Sequence, residues 1–147
     1  MILYQRAKLE DCTYIFQCEQ EIFHQGLSYD TLKEDVLYHS QSEYIVAKDE
    51  RKPIGYIGAL VVGHQVDIIN LYVEPDYRRQ GVATQLFKTL LNSEKEISLT
   101  DITLDVKENN HVAISLYKKI GFSVIGKRKQ YYQDGSNALV MKHTRSE

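Results

Sequence analysis

The sequence predicts an α+β fold, a mixed and mostly antiparallel central sheet flanked by helices on both faces. Three observations carry that expectation. The elements run strand, two helices, three strands, helix, strand, helix and two strands. The strands between Tyr44 and Val73 are joined by links of hairpin length, so they should be antiparallel. The strand around Ile102 is separated from the one at Val66 by a helix, which lets those two pair in parallel. At 147 residues, with no shift in composition, the chain reads as a single domain over 1–147.

Each element has a local reason. Ile2 to Ala7 reads as a short first strand. From Leu9, the apolar residues Cys12, Ile15, Phe16, Ile22 and Phe23 recur at helical spacing, with Glu10-Asp11 near the positive end of that helix. Gly26 breaks it, and Ser28 can cap a second helix from Tyr29 to about Leu37. Tyr44 to Lys48 is a strand, Asp49 to Lys52 a polar turn, and Ile54 to Val62 an apolar strand; His64-Gln65 turns the chain into the strand Val66 to Val73, which Glu74-Pro75 stops. Val82, Leu86, Leu90 and Leu91 mark a helix to about Glu96, and Ile102 to Val106 alternates as a strand. Asn109-Asn110 opens a helix that Gly121 ends. Phe122 to Ile125, Tyr131-Tyr132 and Ala138 to Met141 supply the last strands, with Asp134-Gly135 as a turn.

Composition excludes several classes. The longest apolar run, Tyr56 to Gly63, is too short to cross a bilayer. The start, Met1 to Lys8, lacks the basic-then-apolar order of a secretory signal, so a cytoplasmic location is expected. A formal net charge of -2 argues against nucleic-acid binding, even with the basic cluster Lys127-Arg128-Lys129. Cys12 and Cys18 match no metal or redox spacing and read as two buried thiols, and the five histidines are scattered, so no metal is expected.

Two constellations carry chemistry. Arg78-Arg79-Gln80-Gly81-Val82-Ala83 lies between a strand and a helix, where unpaired N–H groups and the helix dipole favour an anion. Gly81 lets the backbone approach that anion closely, and Arg79 adds a cation. As a plain alternative, the segment is a basic turn before an amphipathic helix. The second constellation is Asn110 with Tyr117, two turns apart on one helix face, able to line a ligand. Its alternative is a helix cap and a core tyrosine.

Leu71 to Ala83, together with Asn109-Asn110 and Ala113 to Phe122, resembles the acetyl-CoA motif of the GNAT superfamily of N-acetyltransferases, and the likeness spans nearly the whole chain. Arg128 to Tyr132, Asp134-Gly135 and Ala138 to Met141 are similar to the ribosomal-protein alanine N-acetyltransferases (RimI type). The resemblance implies acetyl-CoA as cosubstrate and a primary amine as acceptor. It implies that Leu71, Tyr72 and Val73 present strand backbone to the thioester and pantetheine. Arg79, Gln80, Gly81, Val82, Ala83 and Thr84 would cradle the pyrophosphate, and Asn110 would bond the pantetheine arm. Tyr117 would protonate the departing thiolate, Asp105 stands where RimI-type enzymes carry a glutamate base, and Tyr131 and Tyr132 would meet the acceptor.

Acetyl transfer builds negative charge on the carbonyl oxygen, so a fixed N–H donor is needed, and a strand bulge near Asn70-Leu71 would free one. The chain departs from the RimI pattern at Asp105, one methylene short of glutamate, at Phe23 to Ser28, which lacks a Pro-Trp pair, and at Ser136-Asn137, where acidic residues are usual. All three lie at or near the acceptor side. A protein N-terminal amine leads as acceptor, since an α-amine titrates near ~8 and a lysine near ~10.4, with a small amine (polyamine, amino sugar or amino acid) second and a non-catalytic acyl-CoA-binding module as the different class. Either a monomer or a homodimer is compatible with the sequence.

Overall fold

The computed structural model describes residues 1–23, 28–38, 41–93 and 101–143. Strand β1 (Ile2–Arg6) passes through a turn of 3-10 helix, Leu9–Asp11, into α1 (Cys12–Glu21). Helix α2 (Tyr29–Tyr38) follows, then the run β2 (Ser42–Asp49), β3 (Lys52–Val62) and β4 (Gln65–Val73). A second 3-10 turn, Pro75–Tyr77, precedes α3 (Val82–Ser93). Strand β5 (Asp101–Lys107), α4 (His111–Ile120), β6 (Phe122–Arg128) and β7 (Ala138–His143) complete the order. The seven strands form one sheet in the order β1-β2-β3-β4-β5-β7-β6, in which β4–β5 is the parallel pairing and the others are antiparallel.

Local chemistry explains the boundaries. The Ser28 hydroxyl accepts the Thr31 N–H at 3.1 Å, and Asp30 sits in the first turn of α2. Gly121, at φ 123°, ends α4 in a conformation that glycine takes without strain. Glu50 and Arg51, at φ 50° and 72°, make the tight β2–β3 turn without a glycine.

Four expectations need correction or a boundary. The first helix begins as a 3-10 turn, because the Asp11 carboxylate accepts the Lys8 N–H at 2.8 Å and pairs with Lys48 at 2.7 Å; it ends at Glu21, before Ile22 and Phe23. The β3–β4 turn falls at Gly63-His64, one residue earlier than expected, with Gly63 at φ 61°. Tyr131-Tyr132 is not a strand: β6 runs on to Arg128, and both tyrosine N–H groups then turn onto the Ser136 carbonyl at 3.1 and 3.2 Å. Gly26 and residues 94–96, the expected end of the third helix, lie outside the described residues.

The sheet separates two cores. On one face, Ile45, Ile57, Ile68, Leu71 and Val73 meet Leu86, Phe87 and Leu90 of α3 and Ile114 and Tyr117 of α4. On the other, Tyr44, Tyr56 and Ile69 meet Cys12, Ile15 and Cys18 of α1 and Leu32 and Val36 of α2. Both cysteines are buried and free. Among the described residues no helix is long and apolar enough to cross a membrane.

Candidate active site

The site starts with a break in the sheet. In β4, Gly58 of β3 faces Asn70 while Ala59 faces Ile68, so Ile69 is the extra residue of a bulge, one position before the expected Asn70-Leu71. Pairing of β4 with β5 ends at Ile68 and Leu104. Beyond it, Asn70 to Val73 keep their ladder with β3, while Asp105 to Lys107 keep theirs with β7. The two strands thus part into a V-shaped gap, and the β4 edge from Leu71 to Val73 faces it without a ladder on that side, turning the N–H and C=O groups of Leu71 and Val73 to the gap while those of Tyr72 bond β3. An extended ligand can fit such a gap by adding the missing hydrogen-bonding edge.

The gap leads to the start of α3. Arg79 and Gly81 take φ of 63° and 82° on either side of Gln80, which curls the backbone so that successive N–H groups can converge. The Gly81 carbonyl accepts the Gln85 N–H at 3.0 Å, so the N–H groups of Val82, Ala83 and Thr84 are left over by helix geometry. A side chain at Gly81 would meet no atom within 4 Å, so the space over it is open to a ligand. Arg79 and Gln80 are exposed there, with Gln80 anchored on the Asp76 carbonyl at 3.1 Å. Arg78 turns inward instead, donating to the Val73 carbonyl at 2.8 Å and lying over the Tyr72 ring. An anion cradle is the arrangement's natural use.

The other arm of the gap is α4. Asn110 takes the plain role as well: its side-chain oxygen accepts the Ala113 N–H at 3.2 Å, which leaves its amide NH₂ as the group a ligand arm could use. Tyr117 is 9% exposed, its ring edge-on to Phe122, and burial pushes its hydroxyl up to about 12. Tyr132 lies within electrostatic reach of Tyr117, and Asp105 within reach of Tyr132; burial, then Asp105, raises the Tyr132 hydroxyl above its usual range. Tyr117 of α4, Tyr132 of the β6–β7 loop and Asp105 of β5 thus form a chain of electrostatic neighbours.

Sequence reasoning missed what surrounds them. Arg128 reaches Asp105 at 3.3 Å and lies over the Tyr131 ring; Lys107 reaches Asp134 at 3.1 Å and lies over Tyr132; Lys127 reaches Glu108 at 2.6 Å. Asn137, one of the residues where acidic side chains were expected, bonds Glu108 at 2.9 Å and receives the Gln130 N–H at 2.9 Å. Ser136 closes the turn on Asp134, whose carboxyl these bonds and Lys107 hold down at about 2. An open cleft of about 380 Å³ lies alongside, lined by Glu108, Asn109, His111, Gly135, Ser136 and Asn137. The ion pairs and the Asn137–Glu108 bond link residues far apart in sequence, so no local motif announces them.

A third group lies under the gap. Glu19 of α1 is buried, and one of its oxygens accepts the Tyr56 hydroxyl at 2.5 Å and the side-chain amide of Asn70. Burial raises its carboxyl above the ordinary range, partly offset by those two bonds. The signal for it was available: Glu19 falls four residues after Ile15 and three before Ile22, on the apolar face of its helix.

The parted mixed sheet is the fold of an acetyltransferase, and the chain belongs to the Acetyltransferase (GNAT) family, which matches residues 9–122. It is 32% identical over 138 residues to a Bacillus subtilis (strain 168) protein provisionally assigned as a ribosomal protein bS18-alanine N-acetyltransferase, across 93% of this chain and 91% of that one. The Escherichia coli ribosomal-protein-S18-alanine N-acetyltransferase shares the fold with a TM-score of 0.79 at 24% identity, over 100% of this chain and 97% of that one. Arabidopsis thaliana NAA60 in complex with acetyl-CoA superposes with a TM-score of 0.86 at 18% identity, over 97% and 98% of the two chains. The protein is an N-acetyltransferase of this family, as its motifs led one to expect.

Proposed function

We propose that the acceptor is the N-terminal α-amine of a protein, of the ribosomal-protein type. The observation that carries this reading is the likeness to the Bacillus subtilis protein along nearly the whole chain, the acceptor-side segments included. The charge arrangement supports it. A polyamine needs several uncompensated carboxylates, yet at this mouth Asp105, Asp134 and Glu108 are each already paired with Arg128, Lys107 and Lys127. A single α-ammonium needs no such cluster. It also loses its proton readily, since an α-amine titrates near ~8 and a lysine near ~10.4.

The roles follow from placement. The pyrophosphate lies on the N–H groups from Gly81 to Thr84, with Arg79 and Gln80 beside it. Asn110 bonds the pantetheine arm, and the freed β4 backbone from Leu71 to Val73 aligns the thioester and donates to its carbonyl oxygen. The amine nitrogen, deprotonated through Asp105, bonds to the carbonyl carbon; the carbon–sulfur bond then breaks, and Tyr117 gives its proton to the leaving thiolate. Tyr131 and Tyr132 flank the incoming chain end. The test is free-thiol release from acetyl-CoA against a panel of N-terminal peptides, lysine peptides and polyamines. Peptide-selective turnover is expected; polyamine-selective turnover, or binding without turnover, would overturn the reading.

A further inference from the structure

We propose that Glu19 is a positioning residue for acetyl transfer: acting through Asn70, it fixes the bulge that turns the β4 backbone toward the gap. This rests on the reading that the thioester lies in the β4–β5 gap.

The polar group is costly and asks for a reason. A carboxylate buried to 1% exposure against tyrosines is expensive, and an apolar side chain of similar size would pack there more cheaply. One of its oxygens takes both hydrogen bonds; the other, Oε1, has no partner among the described residues. Such a group persists where it specifies geometry rather than adding stability.

What it specifies can be read from β4. Before the bulge, Val66 and Ile68 point to the α3 face; after it, Leu71 and Val73 do, so the alternation changes parity. Ile69 and Asn70, consecutive in sequence, both serve the α1 face, Ile69 against the core and Asn70 on Glu19. Without a tether, the strand can regain the regular ladder by slipping one residue, which would send every later side chain to the wrong face. Asn70 is the residue on the slipping side, and Glu19 is the fixed point on a helix. Opposite Asn70, Gly58 leaves room for the Tyr44 ring, since a Cβ there would lie 2.5 Å from it; the partner strand is clamped at the same level. The next residue along β4 is Leu71, first of the three whose backbone lines the gap. Tyr56 bonds the same oxygen from β3, away from the bulge, and its share is stability.

Three variants separate the roles, measured by steady-state turnover with a peptide acceptor, calorimetric CoA binding and thermal melting. Asn70→Ala is expected to lower kcat about 10–100-fold, the cost of a misplaced donor, with the CoA dissociation constant changed less than about threefold. Asn70→Ser, polar but too short to reach Glu19, is expected to do the same and serves if the alanine variant does not fold. Tyr56→Phe should lower the melting temperature and leave kcat within about threefold. Glu19→Gln, whose amide oxygen can accept the same two bonds, should keep kcat within about threefold as well. Wild-type kcat in both Asn70 variants overturns the proposal. So does a loss in Tyr56→Phe that matches theirs, which would make the effect one of stability. A comparable loss in folded Glu19→Gln also overturns it, because that would require the charge. Absence of turnover in the wild type, by contrast, strikes the underlying reading and not this tether.

Discussion

Tyr117 shows how one residue's surroundings fit its task. A phenol in water titrates near ~10, but burial in the angle between α4 and β6 pushes this one up to about 12. A raised value favours the protonated form, so the hydroxyl holds its proton throughout the range in which the acceptor amine loses its own. Tyr117→Phe is expected to cut kcat by ~10²–10⁴ with little change in acetyl-CoA binding. In the wild type, turnover should climb as the amine deprotonates and then stay level past pH ~10, where an unperturbed phenol would already be failing. A descending limb centred near ~10 would count against Tyr117 as the acid. Asp105 is placed differently, half-exposed and held by Arg128. Asp105→Asn should slow turnover chiefly below the amine's pKa and recover as pH rises, because the substrate then arrives already deprotonated. Asp105→Glu should keep or improve activity on a peptide N-terminus. Turnover against pH for the three proteins decides it, and a wild-type profile in Asp105→Asn would leave Asp105 a structural role. Both residues are proposed from the motif around Asn110. Glu19 was not legible in this way, although its place on an apolar helix face was in plain sight, because a lone acidic residue in a helix usually reads as surface.

At the scale of elements, the donor half of the site consists of two local devices, a loop at the start of α3 and a kink in β4. The loop needs Gly81 at φ 82°, in a region where a β-branched residue is strained by about 1–3 kcal/mol. Nothing of the protein itself crowds that position, so Gly81→Val should fold and still lose CoA affinity. Calorimetry on the folded variant is the measurement; wild-type affinity would remove the pyrophosphate from this loop. Such devices are short-range, which is why sequence reveals them. The change of parity between Ile68 and Leu71 even marks the bulge to within a residue. The acceptor half is built otherwise, from pairs such as Arg128 with Asp105 and Lys107 with Asp134, 23 and 27 residues apart. A pattern search cannot see them. The reading of Tyr131-Tyr132 failed for a local reason: their aromatic character suits a strand, but their backbone is claimed by Ser136, four to five residues on.

For the whole molecule, the element order and the single parallel pairing followed from linker lengths, since a helical crossover and three hairpins leave few topologies open. What the order alone does not convey is how thinly the sheet is joined. Strands β1 to β4 form one antiparallel block and β5 to β7 another, and among the described residues four pairs, Gln65 to Ile68 with Asp101 to Leu104, connect them. Hydrogen exchange should therefore show β5 to β7 opening as a unit at lower free energy than β2 and β3, with acetyl-CoA slowing exchange in both blocks. Equal protection of the two blocks, unchanged by the ligand, would contradict it. The seam also has a physiological reading. A ligand lying across the seam would add to the core that already spans it, so the bound protein is expected to open, and to meet proteases, less often than the free one.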